Sequence, residues 1–213
     1  MSWVWTHLLG VIVASVLGLS EPELTQALRG EVPTRTESFV AASGKAAGRG
    51  VGAIVINKPL EQTWAVLCRF DNKAEYMPRL EKVSVLSAEP SRIVARMQVD
   101  AAVTTARYTA IFVIDAEARA IRWTLDKSAA DNSIADTIGS YELHPISEDK
   151  TLVVYRSFVD SGRSVPRFVS DYMTRRAIPN LLRAIKKRIE SGGVRRRTSR
   201  EVQGVVLGGE RHL

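Results

Sequence analysis

The sequence predicts an α+β domain in which a curved antiparallel β-sheet wraps around a long C-terminal α-helix. Three observations carry this reading. Between residues 83 and 160 the chain alternates apolar and polar residues with period two, the mark of strands with one buried side. Short polar turns join these segments, as in a meander. One amphipathic stretch, from Val165-Pro166 to about Ser191, is long enough to cover the apolar face that such a sheet leaves.

The elements follow in order. Glu21 to Leu28 suits a short helix ending at Gly30, and the residues up to 50 fit either a leading hairpin or an ordered linker. Val51 to Ile56 reads as a strand. Lys58-Pro59 then opens a helix, with Leu60, Trp64, Leu67 and Cys68 at helical spacing. A second short helical piece around Ala74 to Tyr76 runs into Met77-Pro78. The meander begins near Val83 and turns at Glu89-Pro90-Ser91. Its next strands are Arg92 to Asp100, Thr104 to Asp115 and Ala120 to Lys127. Asp136 to Leu143 and Thr151 to Asp160 complete it, with His144 read as a residue of the turn between them. In the last helix, Phe168, Val169, Tyr172, Met173, Leu181, Leu182, Ile185 and Ile189 form an apolar stripe. Pro179 is expected to kink it, and Gly192-Gly193 to stop it. A curved sheet gripping a helix leaves space between the two, and such space commonly holds a ligand.

The ends of the chain carry their own signals. Leu8 to Leu19 has no charged side chain, and Glu21-Pro22-Glu23 is abruptly polar. This reads as a secretory signal over residues 1–20 with cleavage after Ser20, or else as an uncleaved anchor. Either way the domain is expected to be exported, periplasmic or secreted. Residues 21–50 are assigned to an N-terminal extension, 51–192 to the main domain and 193–213 to a basic tail without fixed structure. The formal net charge is +7, with Arg183, Lys186, Lys187, Arg188, Arg195, Arg196, Arg197 and Arg200 at one end. A charge block of this kind reads first as a solvated face and tail. Its functional reading is transient contact with anionic membrane through Arg195, Arg196 and Arg197, rather than with nucleic acid.

Catalytic and metal chemistry find little support. Cys68 is the one cysteine, in an apolar helical stretch, and reads as a small buried hydrophobe. Of the three histidines only His144 lies in the domain, so no ligand cluster for a metal is expected. The glycines from Gly44 to Gly52 lack the strand-to-helix context of a phosphate loop, and no cofactor is expected.

The order of elements and several short motifs resemble the START/polyketide-cyclase (SRPBCC) superfamily, with its helix-grip fold. The nearest resemblance is to its exported bacterial branch, similar to coenzyme Q-binding and lipid-transfer domains. Gly52-Ala53-Ile54-Val55-Ile56-Asn57-Lys58-Pro59 with Trp64-Ala65-Val66-Leu67 looks like the family's opening strand and helix. Phe70-Asp71 with Tyr76-Met77-Pro78 looks like its short second helix. Gly139-Ser140-Tyr141-Glu142-Leu143 and Val153-Val154-Tyr155-Arg156 look like its late strands, and Asp160-Ser161-Gly162 with Val165-Pro166 like the lead into the gripping helix. The resemblance implies a hydrophobic tunnel for a lipid, sterol, quinone or polyketide.

The expected lining is Met97, Tyr108, Phe112, Trp123, Tyr141, Tyr155, Phe168, Tyr172 and Met173. Aromatic bodies there would pack on the ligand, and hydroxyls would meet its polar end. The competing reading of these residues is plain core packing. Arg156 is the one cation placed with this set, binding a headgroup or pairing with Asp136, Glu142 or Asp160. The expected function is non-catalytic binding or transport of a hydrophobic small molecule by a monomer. The alternatives are a cyclase or aromatase and a ligand-free interaction module.

Overall fold

In a computed structural model, the structure describes residues 18–41, 44, 46–101, 104–162 and 173–192. Helix α1 (Glu21–Leu28) is followed by strands β1 (Thr34–Val40) and β2 (Ala46–Ile56), helix α2 (Leu60–Leu67) and a 3-10 turn (Lys73–Glu75). Six strands come next: β3 (Leu80–Glu89), β4 (Arg92–Asp100), β5 (Thr105–Asp115), β6 (Ala120–Leu125), β7 (Asp136–Ser147) and β8 (Lys150–Asp160). A π-helical turn (Met173–Ala177) leads into helix α3 (Ile178–Glu190).

The strands form one sheet in the order β1-β2-β8-β7-β6-β5-β4-β3. Every pairing is antiparallel. After β2 the chain crosses to the far edge through α2 and returns by the expected meander. Register shifts at Leu80/Lys82 and Val85/Ser87 in β3 mark bulges, which bend the strand and increase its twist. The curved sheet and the C-terminal helix are the helix-grip arrangement. The segment before residue 51 is a hairpin, and β2 starts at Ala46, so a domain boundary at residue 51 would cut through a strand.

Alternation sorts the strands into two faces. Ile54, Ile56, Ile93, Met97, Phe112, Trp123, Tyr141 and Tyr155 face inward, together with Ile178, Leu182, Ile185 and Ile189 of α3. The helix comes close to β2 because residue 52 is glycine. A Cβ there would stand 2.5 Å from Cγ2 of Ile178 and 3.1 Å from Cδ1 of Leu182. Polar bonds fix the other half of α3. Lys186 donates to the Val55 carbonyl at 2.7 Å, and the Asn57 N–H donates to Glu190 at 2.8 Å.

The proline of the last helix acts earlier than the sequence suggests. Pro179 stands in the first turn of α3 and the π turn lies directly before it. Its ring would clash with the carbonyl of Arg175 in a regular α-helix, and the wider turn relieves that contact. A helix start at Val165 falls outside the described residues, as do Phe168 and Tyr172.

The opposite face of the sheet is sealed by α1. Leu19, Leu24 and Ala27 pack there on Val51, Ala53, Val55, Leu152 and Val154. Ser20 is the N-cap of α1 and forms a capping box with Glu23. The Gly18 carbonyl accepts from Arg35 at 2.8 Å, and Leu19 is 6% exposed. A cut after Ser20 would therefore remove a cap and a core residue. Ser20→Ala is expected to lower stability by about 1 kcal/mol. A chain beginning at Glu21 should lose more, because Leu19 goes too. Urea denaturation measures both, and equal midpoints for the full and shortened chains would contradict the role given to residues 18–20.

Candidate functional site

The inner face carries a continuous row of aromatic rings, and strand register explains why they meet. Phe112 of β5 pairs with Trp123 of β6, Trp123 with Gly139 of β7, and Tyr141 of β7 with Tyr155 of β8. Ring centroids are 4.6 Å apart for Phe70–Phe112, 6.1 Å for Phe112–Trp123, 5.4 Å for Trp123–Tyr141 and 5.0 Å for Tyr141–Tyr155. The indole packs directly against the backbone of β7 because Gly139 offers no side chain. A Cβ at that position would stand 2.0 Å from Cζ2 of Trp123. Met97 and Tyr108 are cross-strand partners on the same face.

Tyr141 lies within electrostatic reach of three other phenols. Burial raises the Tyr141 hydroxyl far above the usual phenol range, and the nearby Tyr155, Tyr76 and Tyr108 add to the effect. Burial likewise pushes up Tyr76, Tyr108 and Tyr155. All four therefore stay protonated at neutral pH and act as hydrogen-bond donors rather than bases. The Ser157 side chain partly offsets the effect of burial on Tyr155. The Tyr76 hydroxyl is buried without a partner among the described residues. Its ring is held by the Arg188 guanidinium, 5.6 Å from the centroid, which itself pairs with Glu75 at 3.2 Å.

Lys73 lies at the other end of the row. It is 3% exposed, and its Nζ stands 4.5 Å from the centroid of Phe70. The ammonium donates to the Leu67 carbonyl at 2.6 Å, at the C-terminal end of α2, where backbone carbonyls lack helical partners. Burial pulls its pKa from 10.5 to about 8. Among the described residues it forms no pair with a carboxylate.

The structure thus brings Met97, Tyr108, Phe112, Trp123, Tyr141 and Tyr155 onto one face. Arg156 is not with them. It shares the outer face with Leu152 and Val154, is only 11% exposed at its side chain, and pairs with Glu142 at 2.9 Å. Alternation decides this, since Tyr155 points inward and its neighbour must point out. Of the three carboxylates expected as partners, Glu142 makes this pair, reaching it diagonally from the neighbouring strand. Phe168 and Tyr172 lie outside the described residues, as does the side chain of Met173. The place of His144 differs too: it belongs to β7, opposite Leu152, and its Nε2 is buried without a partner among the described residues. Burial lowers its pKa. Phe70, Lys73 and Tyr76 join the cluster although no period marks them. They sit on the irregular stretch between α2 and β3, where alternation assigns no face.

The family model described as "Polyketide cyclase / dehydrase and lipid transport" matches residues 49–190. The chain belongs to this family. Its members set the expected architecture, and solved structures share it. A STAR-related lipid transfer protein from Xanthomonas axonopodis superposes with a TM-score of 0.62 at 15% identity, covering 74% of this chain and 93% of its own. The Zhui aromatase/cyclase from Streptomyces sp. R1128 gives 0.56 at 18% identity, covering 76% and 100%. TTHA0849 from Thermus thermophilus gives 0.59 at 17% identity, covering 68% and 99%. Lipid-transfer proteins and cyclases thus share the fold, and identities this low speak for fold alone. No curated protein matches the chain in sequence.

The buried ammonium predicts a pH signature. Between pH 8 and 10.5 the unfolded chain holds a proton on Lys73 that the folded protein has released. Folding stability attributable to this residue therefore rises with pH across that window, by about 3 kcal/mol in full, and is flat below it. Denaturant titrations at pH 7 and 10 should show the wild type gaining on Lys73→Met as pH rises. A constant difference between the two would mean that the ammonium is not desolvated.

Proposed function

We propose that the protein binds and carries an apolar small molecule between the inner face of the sheet and α3, without transforming it. The observation that carries this reading is the Tyr76 hydroxyl. An unpaired buried hydroxyl costs about 1–3 kcal/mol, and this one belongs to a group of phenols beside a row of aromatic rings. A ligand with an apolar body and a polar end satisfies both. Its body replaces ring-to-ring contact, each buried methylene contributing about 0.8 kcal/mol, and its polar end accepts a hydrogen bond.

The chemistry of the inner face supports carriage over catalysis. A cyclase or aromatase needs a group that takes up a proton near neutral pH. The inner phenols are held protonated by burial, and Lys73, drawn down to about 8, still carries its proton at pH 7 and is no base there. Asp136, a buried carboxylate, shares the outer face with Ser140 and Glu142, and His144 stands there as well. Export through the apolar leader belongs to the same reading, as does a transient approach to anionic membrane. Arg183 and Lys187 are exposed on α3, on the way to Arg195, Arg196 and Arg197, which lie outside the described residues. Such an approach would weaken with salt.

Tyr76→Phe separates a binding hydroxyl from a structural one. The variant is expected to be more stable than the wild type by about 1 kcal/mol, because an unpaired buried group is removed. At the same time it should bind lipid, sterol or quinone probes several-fold more weakly. Denaturation and tryptophan fluorescence titration read the two effects, with Trp123 in the row as reporter. A variant that loses stability and keeps its affinity would contradict the reading.

A further inference from the structure

We propose that the ligand is an apolar carboxylic acid whose carboxylate is bound by Lys73, at the Phe70 end of the aromatic row. This rests on the binding reading above and narrows it to one ligand class. Lys73 is buried, yet its ammonium has three donors and, among the described residues, a single acceptor, the Leu67 carbonyl. A buried cation is normally matched by an anion, and here the described residues supply none. Beyond that carbonyl the ammonium meets the Phe70 face at 4.5 Å and the thiol of Cys68, which burial keeps neutral.

The position of the lysine gives the unmatched charge a direction. Phe70 touches Phe112, Phe112 touches Trp123, and Trp123 touches the tyrosine pair. The row is an apolar track with a cation at the Phe70 end and the Tyr141–Tyr155 pair at the other. A molecule with an acidic head and a long or ring-bearing apolar body fits this polarity. The carboxylate supplies the missing counter-charge, the body lies on the rings, and any distal oxygen meets the phenols. A neutral sterol or quinone fits the track and leaves the ammonium unmatched. Lys73 cannot be replaced in this role by the arginines near the row. Arg188 is committed to Glu75 and the Tyr76 ring, and Arg156 stands on the opposite face.

Palmitate and 1-hexadecanol have the same chain length and differ in the head group. Their binding to the full chain at pH 7 is compared by tryptophan fluorescence and checked by native mass spectrometry. The wild type should bind palmitate at least about tenfold more tightly than the alcohol, the range of a charge-assisted bond in a buried site. Lys73→Met should abolish that preference, and Lys73→Arg should keep it. Equal affinity of the wild type for acid and alcohol overturns the proposal and leaves the binding reading standing. Failure of both probes to bind also overturns the proposal, and the binding reading then falls only if sterol and quinone probes fail as well. The wild-type comparison requires no variant, so the proposal can be overturned even where Lys73→Met folds poorly.

Discussion

The interior of this protein depends on how closely α3 can approach β2. Gly52 permits that approach, and any side chain there would collide with Ile178 and Leu182. The far half of the helix is held by polar bonds from Lys186 and Glu190 to the backbone at the end of β2. The near end follows from Pro179, which stands in the first turn of the helix and is preceded by the π turn. With the helix fixed over one side of the sheet, the inner faces of β5 to β8 supply the aromatic row. Gly139 repeats the device on a smaller scale by letting the Trp123 indole lie against the backbone of β7.

The two faces of the sheet solve different problems. The outer face is sealed by a short helix carrying small and branched apolar residues, and its charges are paired locally. Arg156 meets Glu142, and Arg35 meets Glu23 and Glu37. The inner face holds large rings and, among the described residues, a phenol without a partner and an ammonium without a counter-ion. Unmatched polar groups of this kind reduce stability in the free protein and favour a ligand that completes them. The outer face also buries atoms without a partner among the described residues, Thr109 Oγ1 and His144 Nε2, so what sets the inner face apart is that one of its unmatched groups is a charge.

Much of this is legible in the sequence because period-two alternation is a local signal. It places Met97, Tyr108, Phe112, Trp123, Tyr141 and Tyr155 on one face, and the strand pairing keeps them there. The same rule puts Arg156 on the other face, and the expectation that it joins the cavity conflicts with its neighbour Tyr155. His144 reads as a turn residue because a proline follows it, whereas β7 continues through Pro145 to a bulge near Ser147. Lys73 and Tyr76 are not legible as site residues. Their positions depend on the irregular path between α2 and β3, which no periodic pattern describes. The role of Leu19 and Ser20 is hidden for a different reason, since an apolar run before a polar one reads equally as a leader and as the entry to a capped helix.

The central claim is that the space between sheet and helix belongs to an apolar ligand. Native mass spectrometry of the purified full chain, followed by organic extraction and delipidation, tests it most directly. The account predicts a species heavier than the chain alone, release of an apolar molecule on extraction, and renewed uptake when the delipidated protein is offered lipids, sterols or quinones. A mass equal to the bare chain, with no uptake of any of these by the folded delipidated protein, would contradict it.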